Sequence, residues 1–310
     1  MIKMKERIKD ARPMMDLMAK KIFSNPEITA QFISDILDLP VHHVKILDGT
    51  QIHDHQFEDI KTYVTSIDVL AELNDGTQVI IEIQVAYQFD FIKRLWLYQC
   101  NQVTKNADEH KKEGVETHRL AEEMLPVYSI AIMQKRYFND EEMVHVYCHK
   151  ERKRNDELKV HFKGFEEEQN LSLMGFLELE KYNEDKIEEY KKERWIEFFG
   201  NQPYTQTPEK ILEQADRIVS RIDWTKEERE MYDERTRYIQ AYLGHLASVE
   251  KEKKDAISQA LTEGKAEGIE HGKKMMIISL IKDGLLSKEE GAKRLSISVI
   301  ELDEYMSAEE

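Results

Sequence analysis

YVTSIDVLAELNDGTQVIIEIQV, residues 63–85, carries two alternating runs joined by a turn. From Tyr63 to Leu73 the residues alternate, with Ile67, Val69, Ala71 and Leu73 on one face and Ser66, Asp68, Leu70 and Glu72 on the other. From Thr77 to Val85 they alternate again, Val79, Ile81, Ile83 and Val85 opposing Ile80, Glu82 and Gln84. Between the two runs stands Asn74-Asp75-Gly76, a strong hairpin signal. A loop of these residues, with Gly76 left-handed, pairs Leu73 with Thr77 and sets Asp68 directly across from Glu82. Gln84 lies on the same face, two residues further along. The competing tight turn, Asp75-Gly76 alone, would oppose Asp68 to Ile83 and mismatch the faces, so periodicity favours the first register.

Two carboxylates side by side on adjacent strands repel by a fraction of a kcal/mol to about 1 kcal/mol. Strands this rich in Val, Ile and Leu are expected to be covered on both faces, where an unpartnered carboxylate is costly. A hard divalent cation removes both penalties, because carboxylate oxygens are what magnesium and manganese prefer. Asp68 and Glu82 are therefore candidate metal ligands.

Outward from the hairpin, residues 14–39 carry apolar side chains at helical spacing, with Asn25-Pro26 dividing them into two helices and Pro40 ending the run. Residues 89–112 read as a helix, with Phe91, Leu95 and Tyr98 on one stripe. Pro126–Met133 and Met143–Cys148 read as strands. Helix, hairpin, helix and further strands make an α/β core. Beyond Phe198 the chain turns helical and charged, with amphipathic helices over 208–249 and a long helix over 251–282.

The chain has 310 residues and a formal net charge of −16, so any contact with nucleic acid has to rest on a local basic surface or on metal ions. Its two cysteines, Cys100 and Cys148, are too few for a disulfide framework and wrongly spaced for structural zinc. The first residues are charged with no apolar run behind them, and no stretch approaches the length of a membrane span; a cytoplasmic protein is expected.

An acid on one strand followed by Glu-x-Gln on the next resembles the PD-(D/E)XK nuclease superfamily and, more narrowly, the Rpn family of recombination-promoting nucleases, also called PD-(D/E)XK family transposases. Asp16-Leu-Met-Ala-Lys20-Lys-Ile-Phe23 is similar to that family's opening helix, with Ala19 where phenylalanine is usual. Ile67-Asp68-Val69 and Ile81-Glu82-Ile83-Gln84 resemble its active-site hairpin, Pro126 to Ile132 its following strand, and Phe176-Leu-Glu178-Leu-Glu-Lys181 a later segment. The glycine-punctuated run from Glu263-Gly264 to Gly272 resembles the family's tail.

The resemblance implies a restriction-endonuclease-like core, a mixed sheet flanked by helices, with a helical C-terminal extension. It implies a metal-dependent DNA endonuclease in recombination or mobile-element biology, with Mg²⁺, or Mn²⁺ in its place, held by Asp68, Glu82 and the Ile83 carbonyl. Asp16 could reach the same face. The wider superfamily carries lysine where this chain has Gln84, which cannot act as a base but can orient water. That substitution keeps open an alternative, a catalytically inactive fold that binds nucleic acid or protein. Domain limits of 1–205 for the core, 206–275 for a helical connector and 276–310 for a small helical hairpin follow.

Candidate DNA contacts are Lys93 and Arg94 after the hairpin, and Lys150, Arg152, Lys153 and Arg154 after a predicted strand. His145 and His149 have an HxxxH spacing but fall on that strand rather than on a helix, and no histidine receives a role. Gly264, Gly268 and Gly272 recur every four residues on one helix, a stripe that suits close approach of a second helix and hence a homodimer. Ser287 to Glu290 reads as a capping box after a turn at Asp283-Gly284. The acids Glu301, Asp303, Glu304 and Glu309 make that last hairpin a protein contact rather than a DNA reader.

Overall fold

A computed structural model describes residues 12–47, 50–53, 63–220 and 224–307. The chain divides into two compact units, Met1–Tyr232 and Asp233–Glu310.

The first unit opens with α1 (Asp16–Phe23) and α2 (Pro26–Leu37). Asn25 divides them as its side chain accepts from the Glu27 and Ile28 amides at 3.0 and 3.2 Å, with Pro26 in the first helical turn. Asp38, left-handed at φ 54°, ends α2. Then follow β1 (Val44–Leu47), β2 (Thr50–His53), β3 (Tyr63–Ser66), β4 (Val69–Leu73), β5 (Gln78–Gln84), α3 (Phe91–Lys112) and the short α4 (Leu120–Glu123). After these come β6 (Val127–Met133), β7 (Val144–Cys148), β8 (Lys159–Val160), β9 (Gln169–Asn170), β10 (Leu173–Glu178), α5 (Tyr190–Phe199) and α6 (Lys210–Val219).

Six strands form one mixed sheet in the order β1-β4-β5-β6-β10-β7. The β5–β6 and β6–β10 pairs are parallel; the other neighbours are antiparallel. α3 is the crossover between the two parallel strands β5 and β6, as such a connection requires. The central strands are buried on both faces. On one face Phe91, Leu95 and Tyr98 of α3 pack with Leu70, Ile80, Ala131, Met133 and Phe176. A buried polar seam ties α3 to the sheet as well: Gln99 donates to the Val127 carbonyl at 2.6 Å and to Ser172 at 2.8 Å, and accepts from Ser129 at 2.9 Å. On the other face α2 approaches β10 closely, because a side chain at Gly175 would meet Ile36 and Leu37 at 3.1 and 3.3 Å.

Behind α2 lies an aromatic cluster of Phe23, Phe32, Trp195, Phe198 and Phe199, all buried. Asp35 is fully buried among these helices and accepts from both the Arg194 guanidinium and Trp195 Nε1. α6, beyond residue 205, packs on α1 and α2 within the same unit.

One sequence expectation fails locally. Residues 63–73 do not form a single strand: β3 pairs with β2 in a separate two-stranded sheet, and β4 begins only at Val69. The break at Ile67-Asp68 turns Ile67 onto the face of Leu70 and Ile80 instead of that of Val69. Alternation continues across the break in sequence, so periodicity does not reveal it.

α7 (Lys226–Lys282) begins in the first unit and supplies most of the second. It runs unbroken through Gly264, Gly268 and Gly272, where an added Cβ would meet nothing within 4 Å. α8 (Lys288–Leu295) and α9 (Val299–Ser307) fold back on its end around Ile278, Ala292 and Leu302. Ser287 caps α8 by accepting from the Glu290 amide at 3.2 Å, as the capping-box pattern predicts. Among the described residues, no helix is long and apolar enough to cross a membrane.

Candidate active site

The hairpin fixes the site. Leu73 and Thr77 bracket Asn74-Asp75-Gly76, with the Leu73 amide donating to the Thr77 carbonyl at 2.8 Å and Gly76 left-handed at φ 87°. The pairing Val69↔Ile81, continued by one step, sets Asp68 opposite Glu82, the register expected from sequence. Asp68 sits in the bend just before β4, which frees its backbone from the ladder. Its amide donates to Glu82 Oε1 at 3.1 Å, and the Ile83 amide donates to Asp68 Oδ2 at 2.8 Å. Each carboxylate is thus held by backbone next to the other.

Glu82 is 6% exposed. Burial, then the adjacent Asp68 carboxylate, pushes its pKa from 4.5 up to about 8, against the pull of Arg94 and Lys20. The pair therefore waits for a proton or a cation. Two oxygen donors, one deeply buried, fit a hard divalent ion and fit a thiophilic one poorly. The Gln84 carbonyl accepts from Gln134, so the even residues of β5 turn their backbone groups toward β6. Alternation turns those of Ile83 toward Asp68, which its amide already meets.

Gln84 is 6% exposed and engaged at both ends: its amide nitrogen donates to the Ala86 carbonyl, and Oε1 accepts from Arg94 Nη2 at 3.0 Å. Arg94 also donates to Gln88. The structure thus brings Asp68, Glu82, Ile83, Gln84 and Arg94 together. Asp16 is the first residue of α1, and its side chain lies outside the described residues. Lys20, one turn later, reaches the site electrostatically; the sequence marked it only as part of a helix motif.

The basic loop is not brought to this place. Cys148 pairs with Leu173, near the start of β10, whereas Gln84 lies at the finishing ends of the parallel strands, level with Met133 and Glu178. Lys150–Arg154 therefore follow the opposite end of the sheet, and do not flank the carboxylates as the sequence suggested. Part of the loop's charge is answered locally: Arg154 pairs with Asp156 at 3.1 Å and Lys150 with Glu157 at 4.0 Å. Arg152 and Lys153 are exposed beside them.

A second acidic group went unassigned in the sequence. Asp140, His145 and Glu178 place ligand-type atoms within 4.8 Å of one another. The buried Lys181 ammonium already answers them, 2.6 Å from Glu178 and 2.7 Å from Asp140, and the Lys181 hydrogen bond takes the Asp140 pKa down to about 2. A metal would have to displace that ammonium, so the cluster is read as a structural ion network. It explains why glutamate and lysine stand three residues apart in the Phe176–Lys181 segment. Glu178 Oε1 also accepts from the Tyr137 and Phe138 amides at 2.6 and 3.1 Å, tying the loop after β6.

A mixed sheet between helical layers, with a carboxylate pair on its central hairpin, is an α/β nuclease core. The chain belongs to the PD-(D/E)XK nuclease family transposases, whose sequence profile matches residues 13–243. The match takes in every segment that carried the resemblance except the glycine-punctuated tail. Searches of curated proteins and of solved structures found no match.

Proposed function

We propose that this chain is a divalent-metal-dependent DNA endonuclease, using Mg²⁺ or Mn²⁺, that serves recombination or mobile-element movement. The observation that carries this reading is the interlocked pair Asp68 and Glu82, the latter buried beside a second carboxylate. These two side chains would hold the ion, with the Ile83 carbonyl as a further ligand. The ion would supply positive charge opposite the scissile phosphate and lower the pKa of an attacking water.

The chain's own groups do the rest. Gln84 and Gln88 fix the Arg94 guanidinium beside the carboxylates, where it meets a non-bridging phosphate oxygen. Lys20 adds charge from α1. Water adds to phosphorus while one bridging P–O bond breaks; the attacking water gives its proton up to solvent, and the departing oxygen takes one from solvent to leave as a hydroxyl. Gln84 cannot take the water's proton, and its engagement with Arg94 makes it a positioning residue. Cleavage of supercoiled plasmid that needs added Mg²⁺ or Mn²⁺ and stops with EDTA tests this function. Folded protein that binds DNA but cuts under neither metal would favour the second reading, a non-cutting binder, which the Gln84 substitution supports.

We also infer a homodimer through α7. Ile257, Leu261 and Met275 are exposed on the same helical face as Gly264, Gly268 and Gly272. A continuous apolar and small-residue face on a solvated helix suits a second copy of that helix. Sedimentation of the full chain, beside a variant with glutamate at Leu261, tests it.

A further inference from the structure

From the carboxylate pair an exposed aromatic line leads away along α3. Tyr87 follows β5 and is 56% exposed; Phe89 is 85% exposed, and Trp96 is 43% exposed. Lys93 and Trp96, three residues apart, share one face of α3, opposite the buried Phe91, Leu95 and Tyr98, and Phe89 stands in the turn just before the helix. The Lys93 ammonium stands 5.9 Å from the centre of the Phe89 ring. Trp96 lies 6.3 Å from the His149 ring, where the basic loop begins. The line therefore starts beside Arg94 and ends toward Lys150.

Its first ring is held in place. Tyr87 stacks on Tyr137 with ring centres 4.7 Å apart. The Tyr137 hydroxyl accepts from the Gln88 amide at 2.7 Å and is 2.9 Å from the Gln88 carbonyl. Its backbone is tied to the buried Glu178, and Gln88 in turn takes a bond from Arg94. The network of Glu178 and Lys181 thus fixes Tyr137, against which Tyr87 stacks beside the site.

We propose that Tyr87, Phe89 and Trp96, interleaved with Lys93, form a stacking track for unpaired bases, so that the strand delivered to Asp68 and Glu82 is single-stranded. The inference rests on the nuclease reading and names its substrate class. Flat rings alternating with cations are what an unpaired strand needs, since each base offers a π-face and each linkage a negative charge. Bases inside a duplex are already stacked on one another and leave such rings without partners. A second protein copy is the other occupant an exposed face could have. The aromatic and cationic composition, and continuity with the carboxylates, favour the nucleic acid here, whereas the aliphatic face of α7 does not share those features.

The test is binding of a fluorescent oligothymidylate of roughly 20 nucleotides and of a duplex of equal length, by anisotropy with EDTA present so that nothing is cut. The wild-type chain binds the oligothymidylate at least about tenfold more tightly. Tyr87→Ala, Phe89→Ala and Trp96→Ala each weaken it by roughly five- to hundredfold. Tyr87→Phe retains it, which separates ring stacking from general damage. Trp195 and Trp224 are buried, so quenching of tryptophan emission on binding reports Trp96 and disappears in Trp96→Phe. Duplex bound as tightly as oligothymidylate, with the alanine variants neutral, overturns the proposal. So does a shift from dimer to monomer in Phe89→Ala and Trp96→Ala with oligonucleotide binding intact. Metal-dependent plasmid cleavage with ring-independent binding removes the track alone; ring-dependent binding without cleavage removes the nuclease reading alone.

Discussion

Asp68 and Glu82 hold one another through the backbone: the Asp68 amide donates to Glu82 at 3.1 Å, and the amide after Glu82 donates to Asp68 at 2.8 Å. The exchange brings two carboxyl groups together in a buried place and fixes both before any cation arrives. Pre-organisation of this kind is what a metal site needs, because ligands that are already placed lose little freedom on binding.

The first consequence is a pH-dependent metal affinity. Glu82 retains its proton up to about pH 8 in the metal-free protein, and an entering cation has to displace it. Affinity for Mn²⁺, followed by the electron paramagnetic resonance of the free ion, should rise by roughly tenfold per pH unit from pH 6 to 8 and then level off. A flat profile across that interval would show that Glu82 is not a ligand.

The same shift sets stability. The folded pKa of Glu82 is raised, so from pH 4.5 upward the unfolded state loses its proton while the folded state keeps it. Fewer protons are bound unfolded than folded, so metal-free stability falls as pH rises from 4.5 and levels off above about 8. The loss attributable to this one group is up to a few kcal/mol. Glu82→Gln, neutral throughout, should remove that part of the slope in urea titrations, and an unchanged slope would contradict the assignment.

Asp35 anchors α2 to α5 through Arg194 and Trp195. Asp35→Ala leaves a buried guanidinium without its main partner and should cost about 3–5 kcal/mol in urea unfolding. A loss below about 1 kcal/mol would mean that Glu209, 2.6 Å from Arg194, suffices alone.

Gly76 sets the hairpin register with φ 87°, and a Cβ there would lie 2.8 Å from the end of Leu125. Gly76→Ala should destabilise the protein by about 1–2 kcal/mol, chiefly from the left-handed backbone, since Leu125 can swing aside. Thermal unfolding would measure this, and an unchanged midpoint would exclude strain at the turn.

Much of this was legible in the residues. Asn25-Pro26, the Asn74–Gly76 turn and Ser287 act locally, through a cap or a left-handed glycine, and each stands where the sequence put it. The facing of Asp68 and Glu82 followed from period and turn alone. The bend at Ile67-Asp68 did not, because it arises from β3 pairing with β2 rather than from any breaker residue. Nor did the distance between the basic loop and the carboxylates, which depends on β7 running antiparallel to β10. The Glu178–Lys181 network likewise joins residues from β7, β10, the turn after β10 and the loop before β7, with only the three-residue spacing as a local hint. Nothing in the order of residues says that Gln84 binds Arg94; the pairing needs α3 to start just beyond β5 and lie over its face.

The role of the two carboxyl groups is decided by cleavage of supercoiled plasmid in Mn²⁺ by the wild-type chain, Asp68→Asn and Glu82→Gln, side by side. Both substitutions conserve shape and remove a carboxylate that the ion could draw on. The expected result is metal-dependent nicking by wild type and a loss of about a hundredfold or more in each variant, with folding retained. Cleavage that persists in both variants, or folded wild-type protein inert with every divalent ion, would contradict it.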